Sequence, residues 1–497
     1  MSQVVVVGGG NAGLCAAIAA REAGADVHLL ERAPEALRGG NSAFTAGLMR
    51  TVYNGVDDIL GLVDSLTDDD LAHTDFGSYS AADFLDTLAR VTEYRCDPEL
   101  ASQLVHSSTG TLKWMRSHGV RFAPAYGRQA FRHGNRFTFW GGAIIEVVGG
   151  GRGLVDFLYA EAEKLGVEIH YETRARSLLV DGEGGGLQAV SASAAGSPAD
   201  IPADAVVLAA GGFQANVEWR ARYLGPGWDL AKVRGTRYDT GDGIEMALRA
   251  GASPAGNWTG CHAVAWDRNA PEFGDLRVGD GFQKHSYPFG IIVNARGQRF
   301  LDEGADFRNY TYARYGREIL SQPGQVAWQV FDQQTAHLLR DEYRIREVSK
   351  VTAPTIEKLA AGMDGVDERA FAETVERFNE SVRRDVPFNP NVLDGRCTVG
   401  ITPPKSNWAM PLERGPFEAY HVTCGITFTF GGIRTDAQAN VIDADGRVMP
   451  NLFACGEMLG GLFYLNYPGG SGLTAGSVFG RIAGRNAARL RGRANGR

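Results

Sequence analysis

Residues 4–13 read Val-Val-Val-Val-Gly-Gly-Gly-Asn-Ala-Gly, and no other stretch narrows what this chain can fold into as sharply. The four valines suit a short, fully buried strand. Gly8, Gly10 and Gly13 follow in the spacing G-x-G-x-x-G. An alanine-rich stretch from Ala12 to Gly24 has helical character, and a second apolar run, Val27–Leu30, ends in Glu31. Strand, glycine turn, helix, strand and acid, in that order, spell a dinucleotide-binding βαβ unit. Gly8 permits the tight turn, Gly10 lets backbone approach a pyrophosphate, and Gly13 lets the helix pack on the strand. The helix N-terminus then faces the phosphates, and Glu31 accepts from ribose hydroxyls.

A chain of 497 residues implies two or more domains and ample core. The net charge of -8 and pI of about 5.8 argue against a nucleic-acid binder. Mean hydropathy is -0.18, and no apolar run approaches the ~18 residues of a membrane span. The first strand begins at once, without a basic or apolar leader, so a cytoplasmic location is expected. The six cysteines (15, 96, 261, 397, 424 and 455) are scattered without a C-x-x-C pair. Reduced thiols are expected, with no metal or iron–sulfur site.

The expected fold class is α/β. A Rossmann-like domain assembled from both chain ends (1–256 and 427–497) carries an inserted α+β capping domain (257–426). The insertion is placed where aromatics, arginines and prolines replace clean βαβ alternation. Helices are expected over 81–118, with caps at Ser80 and Asp97, and over 152–165. The tail 489–497 reads as solvated. A second glycine cluster, Gly149–Gly153, lacks the fingerprint because Leu154 stands where the third glycine is needed. With one dinucleotide site, electrons are expected to leave through a separate acceptor. The other end of the chain selects FAD over NAD. Gly456-Glu457 and Pro468-Gly-Gly-Ser-Gly-Leu-Thr474 open a long helix whose N-terminus suits the flavin's pyrimidine edge.

These segments, with Gly40-Asn41-Ser42, Ala46-Gly47, Ala209–Phe213, Thr240–Gly243, Arg299–Glu303 and Gly431-Gly432, resemble the flavoproteins of the fumarate reductase/succinate dehydrogenase superfamily. FLDEGADFRNYTYARYGR (300–317), KSNWA (405–409) and GGLFYLNYPGGSGLTAG (460–476) are most similar to the FAD-dependent tricarballylate dehydrogenases. The resemblance implies an FAD-dependent oxidoreductase of CH–CH bonds, converting tricarballylate to cis-aconitate. It implies cofactor contacts from Gly8, Gly10, Asn11, Ala12, Gly13, Glu31 and Arg32. Further contacts would come from Gly40, Asn41, Ser42, Gly47, Ala175, Ala210, Gly211, Asp242, Glu457, Ser471, Gly472 and Leu473. Asn41 stands where some members attach FAD through a histidine, so the cofactor is expected to be non-covalent. The family also suggests a membrane-associated iron–sulfur partner or a quinone pathway as acceptor.

The catalytic residues carried over are Arg308, His262 and Tyr467. Arg308 either moves the proton or binds a carboxylate; as a base it would need a relay with acids such as Asp306 or Glu303. His262 matches a substrate-contacting histidine, against the alternative of a satisfied core residue. The family's second histidine is replaced by Thr427-Phe428-Thr429, and its last carboxylate-binding arginine by Tyr467. Tyr467-Pro-Gly also resembles ketosteroid Δ1-dehydrogenases, where that tyrosine polarises a ketone, so a ketone substrate is the alternative. A non-catalytic flavin electron-transfer subunit is the alternative of another class. A tricarboxylate would draw cations from Arg308, Arg314, Arg317, Lys405, Arg128, Arg132 and Arg136, with Trp140, Phe428, Phe463 and Tyr464 as possible walls.

Overall fold

The structure is a computed structural model describing residues 2–63, 65–140, 142, 144–180, 186–194 and 196–489. Most of the tail read as solvated, 490–497, lies outside the described residues. The valine run forms strand β1 (Gln3–Val7), followed by helix α1 (Asn11–Glu22) and strand β2 (Asp26–Leu30). Val4 and Val6 join one hydrophobic core, and Val5 and Val7 join another on the opposite face. A parallel strand covered on both sides needs apolar residues at every position, which is why the run does not alternate.

Strand β1 pairs in parallel with β2 and with Ala205–Leu208. Val448–Ala454 lies beyond Ala205–Leu208, and Glu168–His170 beyond β2, both parallel. Asn440–Ile442 closes one edge of this six-stranded sheet antiparallel. The two chain ends meet at a glycine contact. In the helix Ser471–Arg489, a Cβ on Gly480 would sit 2.3 Å from the Ala12 carbonyl oxygen, and one on Gly484 2.0 Å from that of Ala16. Only glycine lets this helix lie so close to α1, so the domain around the parallel sheet is built from both ends, as expected.

The caps read from the sequence form. The Ser80 and Asp97 side chains accept from the first turns of Ala81–Val91 and Pro98–Ser117. The Gly149–Gly153 cluster opens the helix Gly150–Lys164, and a Cβ on Gly151 would meet the Ser42 carbonyl at 2.1 Å. It braces the loop after β2.

The intervening segment forms a second sheet around a long antiparallel ribbon. Pro254–Asp267 pairs with Phe417–Ile433 from Pro254↔Ile433 to Asp267↔Val422. Val326–Phe331, Ile291–Val293 and Lys350–Ala353 extend it. The helices Ile356–Gly362 and Glu368–Ser381 pack on it in a separate core through Leu359, Phe371 and Phe378. The boundaries expected at 256/257 and 426/427 both fall inside this ribbon, which therefore runs from one layer to the other. Register breaks flank His262, between Asn257 and Cys261 and between His262 and Ala263. Such bulges re-aim a side chain out of the regular alternation.

Candidate active site

One cavity, open to solvent and with about 250 Å³ of space for water-sized groups, reaches from the β1–α1 turn to the ribbon. Its two ends are built differently. At the first end, backbone sets the shape. Gly8 has φ +107°, and a Cβ there would lie 2.4 Å from the Ala209 carbonyl oxygen. A Cβ on Gly13 would lie 1.9 Å from the Gly8 carbonyl oxygen. Gly10 differs: its φ of -79° is open to any residue, and its nearest neighbour would be Ser42 Oγ at 3.6 Å. Nothing in the protein requires glycine there, whereas a pyrophosphate pressed against the backbone does. Gly10 is also the N-cap of α1 and supplies no side-chain cap, so the helix end is open to an anion. These features fit FAD.

Buried Glu31 accepts from Gly9 N at 3.1 Å and from Ala33 N at 2.7 Å. Burial raises its pKa, and those backbone donors act against the rise. Arg32 is fixed by Thr240 Oγ1 at 2.6 Å and Asp242 Oδ2 at 3.0 Å, and Arg174 also binds Asp242 at 2.6 Å. Asn11 joins the two helix starts. Its Nδ2 donates to the Leu473 carbonyl at 2.9 Å, and Ser477 Oγ donates to its Oδ1 at 3.1 Å. Asn41 accepts from Thr236 N at 2.9 Å and donates to the Thr427 carbonyl at 2.5 Å, tying the first loop to the ribbon. Glu457 accepts from Thr429 N at 2.8 Å, and Gln214 Nε2 bridges it to Asp239 at 3.3 and 2.7 Å. Burial pushes Glu457 up to about 7 and raises Asp239, the neighbouring acid adding to the rise in Asp239.

Among the expected cofactor positions, Gly8, Gly10, Asn11, Ala12, Glu31, Arg32, Gly40, Asn41, Ser42, Ala175, Ala210, Gly211, Asp242, Glu457, Gly472 and Leu473 line this cavity. Gly13, Gly47 and Ser471 are not among its lining residues. Gly13 packs α1 on β1, Gly47 lets Gly150 approach, and Ser471 Oγ caps back onto the Pro468 carbonyl.

At the other end, side chains set the shape, and several are unpartnered. His262, Arg308 and Tyr467 all line the cavity, together with Tyr312, Phe428 and Phe463. His262 is 1 % exposed, and neither ring nitrogen has a hydrogen-bond partner. It is therefore not a satisfied core histidine. Burial, with Arg234 nearby, lowers its pKa well below the usual value, so the ring is neutral. It packs edge-on against Tyr312 and Phe428 and lies 4.7 Å, centroid to centroid, from Tyr467. The Tyr312 and Tyr467 hydroxyls are 2.5 Å apart.

The acid relay expected for Arg308 is not formed. Asp306 binds Arg90 at 2.8 Å, and Glu303 is taken by Arg299 at 2.5 Å and Ile292 N at 2.8 Å. Arg308 instead approaches His285 Nδ1 at 3.4 Å and donates to the Arg128 carbonyl at 2.5 Å. The cation set also contracts. Arg314, Arg132 and Arg136 are exposed. Arg317 donates to the Thr259 carbonyl, and buried Lys405 to the Pro288 and Gly290 carbonyls. Of the expected cations, Arg308 and Arg128 line the cavity. Tyr464 is not among the lining residues of either described cavity.

Sequence reasoning missed Tyr312, His285 and the buried pair Arg234–Asp280, 2.5 Å apart. Tyr312 had a faint signal, one helical turn after Arg308. The others carry none, since 23 or more residues separate each from the motif it joins.

A backbone-built dinucleotide cradle facing a pocket of unsatisfied side chains defines a cofactor-dependent redox enzyme. The family described as FAD binding domain matches residues 3–473, and the chain belongs to it. It is similar to a fumarate reductase (cytochrome) of Shewanella frigidimarina, 29% identical over 98% of this chain and 77% of that one. It is also similar to a 4-oxocyclohexanecarboxylate 2-dehydrogenase of Sinomonas cyclohexanicum, 30% identical over 98% and 92%. Among solved structures, the open conformation of a flavocytochrome c3 fumarate reductase superposes with a TM-score of 0.73 at 26% identity, over 98% of this chain and 78% of that one. The chain is accordingly an FAD-dependent oxidoreductase acting on carbon–carbon bonds, within the fumarate reductase/succinate dehydrogenase flavoprotein superfamily. Among the described residues, no helix is long and apolar enough to cross a membrane.

Proposed function

We propose that this enzyme dehydrogenates, or in reverse reduces, the carbon–carbon bond beside a carbonyl group, with FAD bound non-covalently. The carrying observation is the Tyr312–Tyr467 hydroxyl pair, 2.5 Å apart beside Gly472 and Leu473 in the cavity wall. One hydroxyl donates to the other, which leaves the second proton free for an acceptor in the cavity. Coupling of this kind strengthens the outward bond. A carbonyl oxygen held there has its α-proton acidified, since the hydroxyl stabilises the developing enolate. Bound FAD supplies the acceptor for the hydride leaving the β-carbon. Neutral His262 packs against both tyrosines and offers two unused nitrogens to substrate. Arg308 fixes substrate charge or carries the α-proton, and the split between KM and kcat in Arg308→Ala decides which.

The charges favour a carbonyl compound over tricarballylate. A tricarboxylate demands several uncompensated cations, yet Arg234 is neutralised by Asp280, and Arg128 lies 3.6 Å from Asp280 and 3.7 Å from Glu146. The 4-oxocyclohexanecarboxylate dehydrogenase among the relatives supports the same substrate class. A separate protein or quinone would accept the electrons.

The test is anaerobic mixing of the yellow protein with cyclohexanone, 4-oxocyclohexanecarboxylate, a 3-ketosteroid, succinate and tricarballylate. Bleaching of the flavin by a cyclic oxo compound is expected. Bleaching by tricarballylate or succinate alone would overturn the carbonyl reading.

A further inference from the structure

We propose that the small aromatic chamber behind Arg308 is a distal subsite that binds a carboxylate at the far end of the substrate. The substrate is then an oxo acid, its carbonyl at the tyrosine pair and its carboxylate in this chamber. The inference rests on the carbonyl reading for its first half, while the chamber's preference for an anion stands on separate observations.

The chamber is narrow, with about 20 Å³ of space for water-sized groups, and it adjoins the main cavity through the shared lining residues His285 and Arg308. Aromatic rings wall it: Phe131, Phe289, Trp408, and Trp140 stacked on Phe307 at 4.7 Å. Such walls exclude water and raise the cost of any unmet polar group. Four polar atoms of lining residues are buried without a partner: Trp140 Nε1, His285 Nε2, Arg308 Nε and Arg340 Nη2. All four are donors. An arginine can only donate, so His285 Nδ1 accepts from Arg308 and the ring proton sits on Nε2. Among the described lining side chains, four orphaned donors and no orphaned acceptor call for an acceptor-only guest. A carboxylate is one.

The charges agree. Arg308 and Arg340 are 8 % and 7 % exposed, and their hydrogen bonds go to His285 and to the Arg128 and Gly127 carbonyls, none of which is an anion. Around the chamber, Arg128, Arg234, Arg308 and Arg340 face Asp280, Glu146 and Glu342, which leaves one positive charge in excess. That excess matches a single carboxylate and would leave a tricarboxylate with uncompensated charge. Arg340 lies over the Phe131 ring at 5.0 Å, and this packing holds its planar fork in place for a bidentate anion.

The test uses FAD-loaded protein and two probes that lack a ketone, cyclohexanecarboxylate and cyclohexanecarboxamide, titrated by calorimetry. The probes have nearly the same shape and differ in charge, and their binding needs no turnover. Wild type is expected to prefer the carboxylate by at least ~10-fold, the size of one charge-assisted hydrogen-bond set. Arg340→Gln should abolish that preference, Arg340→Lys should keep part of it, and Trp140→Phe, which keeps a ring but loses the donor, should reduce it a few-fold. Equal binding of the two probes by wild type would overturn the subsite even if Arg340→Gln failed to fold. An unchanged preference in folded, yellow Arg340→Gln would overturn it as well. If the carboxylate preference holds while no ketone bleaches the flavin, the subsite stands and the carbonyl reading fails.

Discussion

The two ends of the cavity solve opposite problems. At the cofactor end, polar side chains are already paired within the protein: Glu31 with two backbone N–H groups, Asn11 with both helix starts, Arg32 with Asp242. At the substrate end, His262, His285, Arg308 and Arg340 keep buried nitrogens without partners. Leaving a buried donor unpaired costs about 1–3 kcal/mol. A fold keeps several such groups together only where something else completes them. The cofactor end is therefore a finished scaffold, and the substrate end is finished by its ligand.

Breaking the scaffold should have the largest effect. Glu31→Leu strands the Gly9 and Ala33 amides and removes the ribose acceptor, so the purified variant is expected to be nearly colourless; full flavin absorbance at wild-type yield would contradict this. Next in size is Arg308→Ala, expected to cost ~100-fold in turnover if the guanidinium moves the proton. A rise in KM with kcat preserved would assign it to carboxylate binding alone. Tyr467→Phe should cost about 10-fold on a ketone, with flavin content unchanged, since the ring still packs on His262 and Phe428. Equal rates for Tyr467→Phe and wild type would reduce the tyrosine to packing.

The smallest effect is a pH dependence that differs between the two ends. Glu457 is raised to about 7, so the stability it allows is full below its unfolded pKa and is lost as pH rises through 7. His262 and His285 are lowered, so theirs is full above about 6.5 and is lost as pH falls. Between about pH 4.5 and 7 the two effects oppose each other, so Glu457→Gln should steepen the rise of the thermal midpoint with pH across that window and leave the profile above it unchanged. The same slope in Glu457→Gln and wild type across that window would contradict the Glu457 assignment.

The same contrast explains what could be read from the sequence. Gly8, Gly13 and Glu31 are legible because one backbone geometry forces them into a fixed local spacing. Asn41, Gly211 and Glu457 are reachable by family resemblance, and all three line the cavity. The substrate end assembles across the chain: Tyr312 meets Tyr467 from 155 residues away, and Arg308 meets His285 from 23. No local pattern encodes those meetings. The expected relay to Asp306 and Glu303 fails because each acid has another arginine: Glu303 is held by Arg299 four residues before it, and Asp306 by Arg90 from a distant helix.

The proposed division of labour gives FAD to the finished end and the chemistry to the unfinished end. It is tested most directly by the paired variant Tyr312→Phe/Tyr467→Phe, mixed anaerobically with a cyclic oxo substrate and followed in the flavin spectrum. A wild-type flavin content and oxidised spectrum are expected, with bleaching slowed at least ~100-fold relative to wild type. Bleaching at the wild-type rate, or loss of the flavin itself, would contradict it.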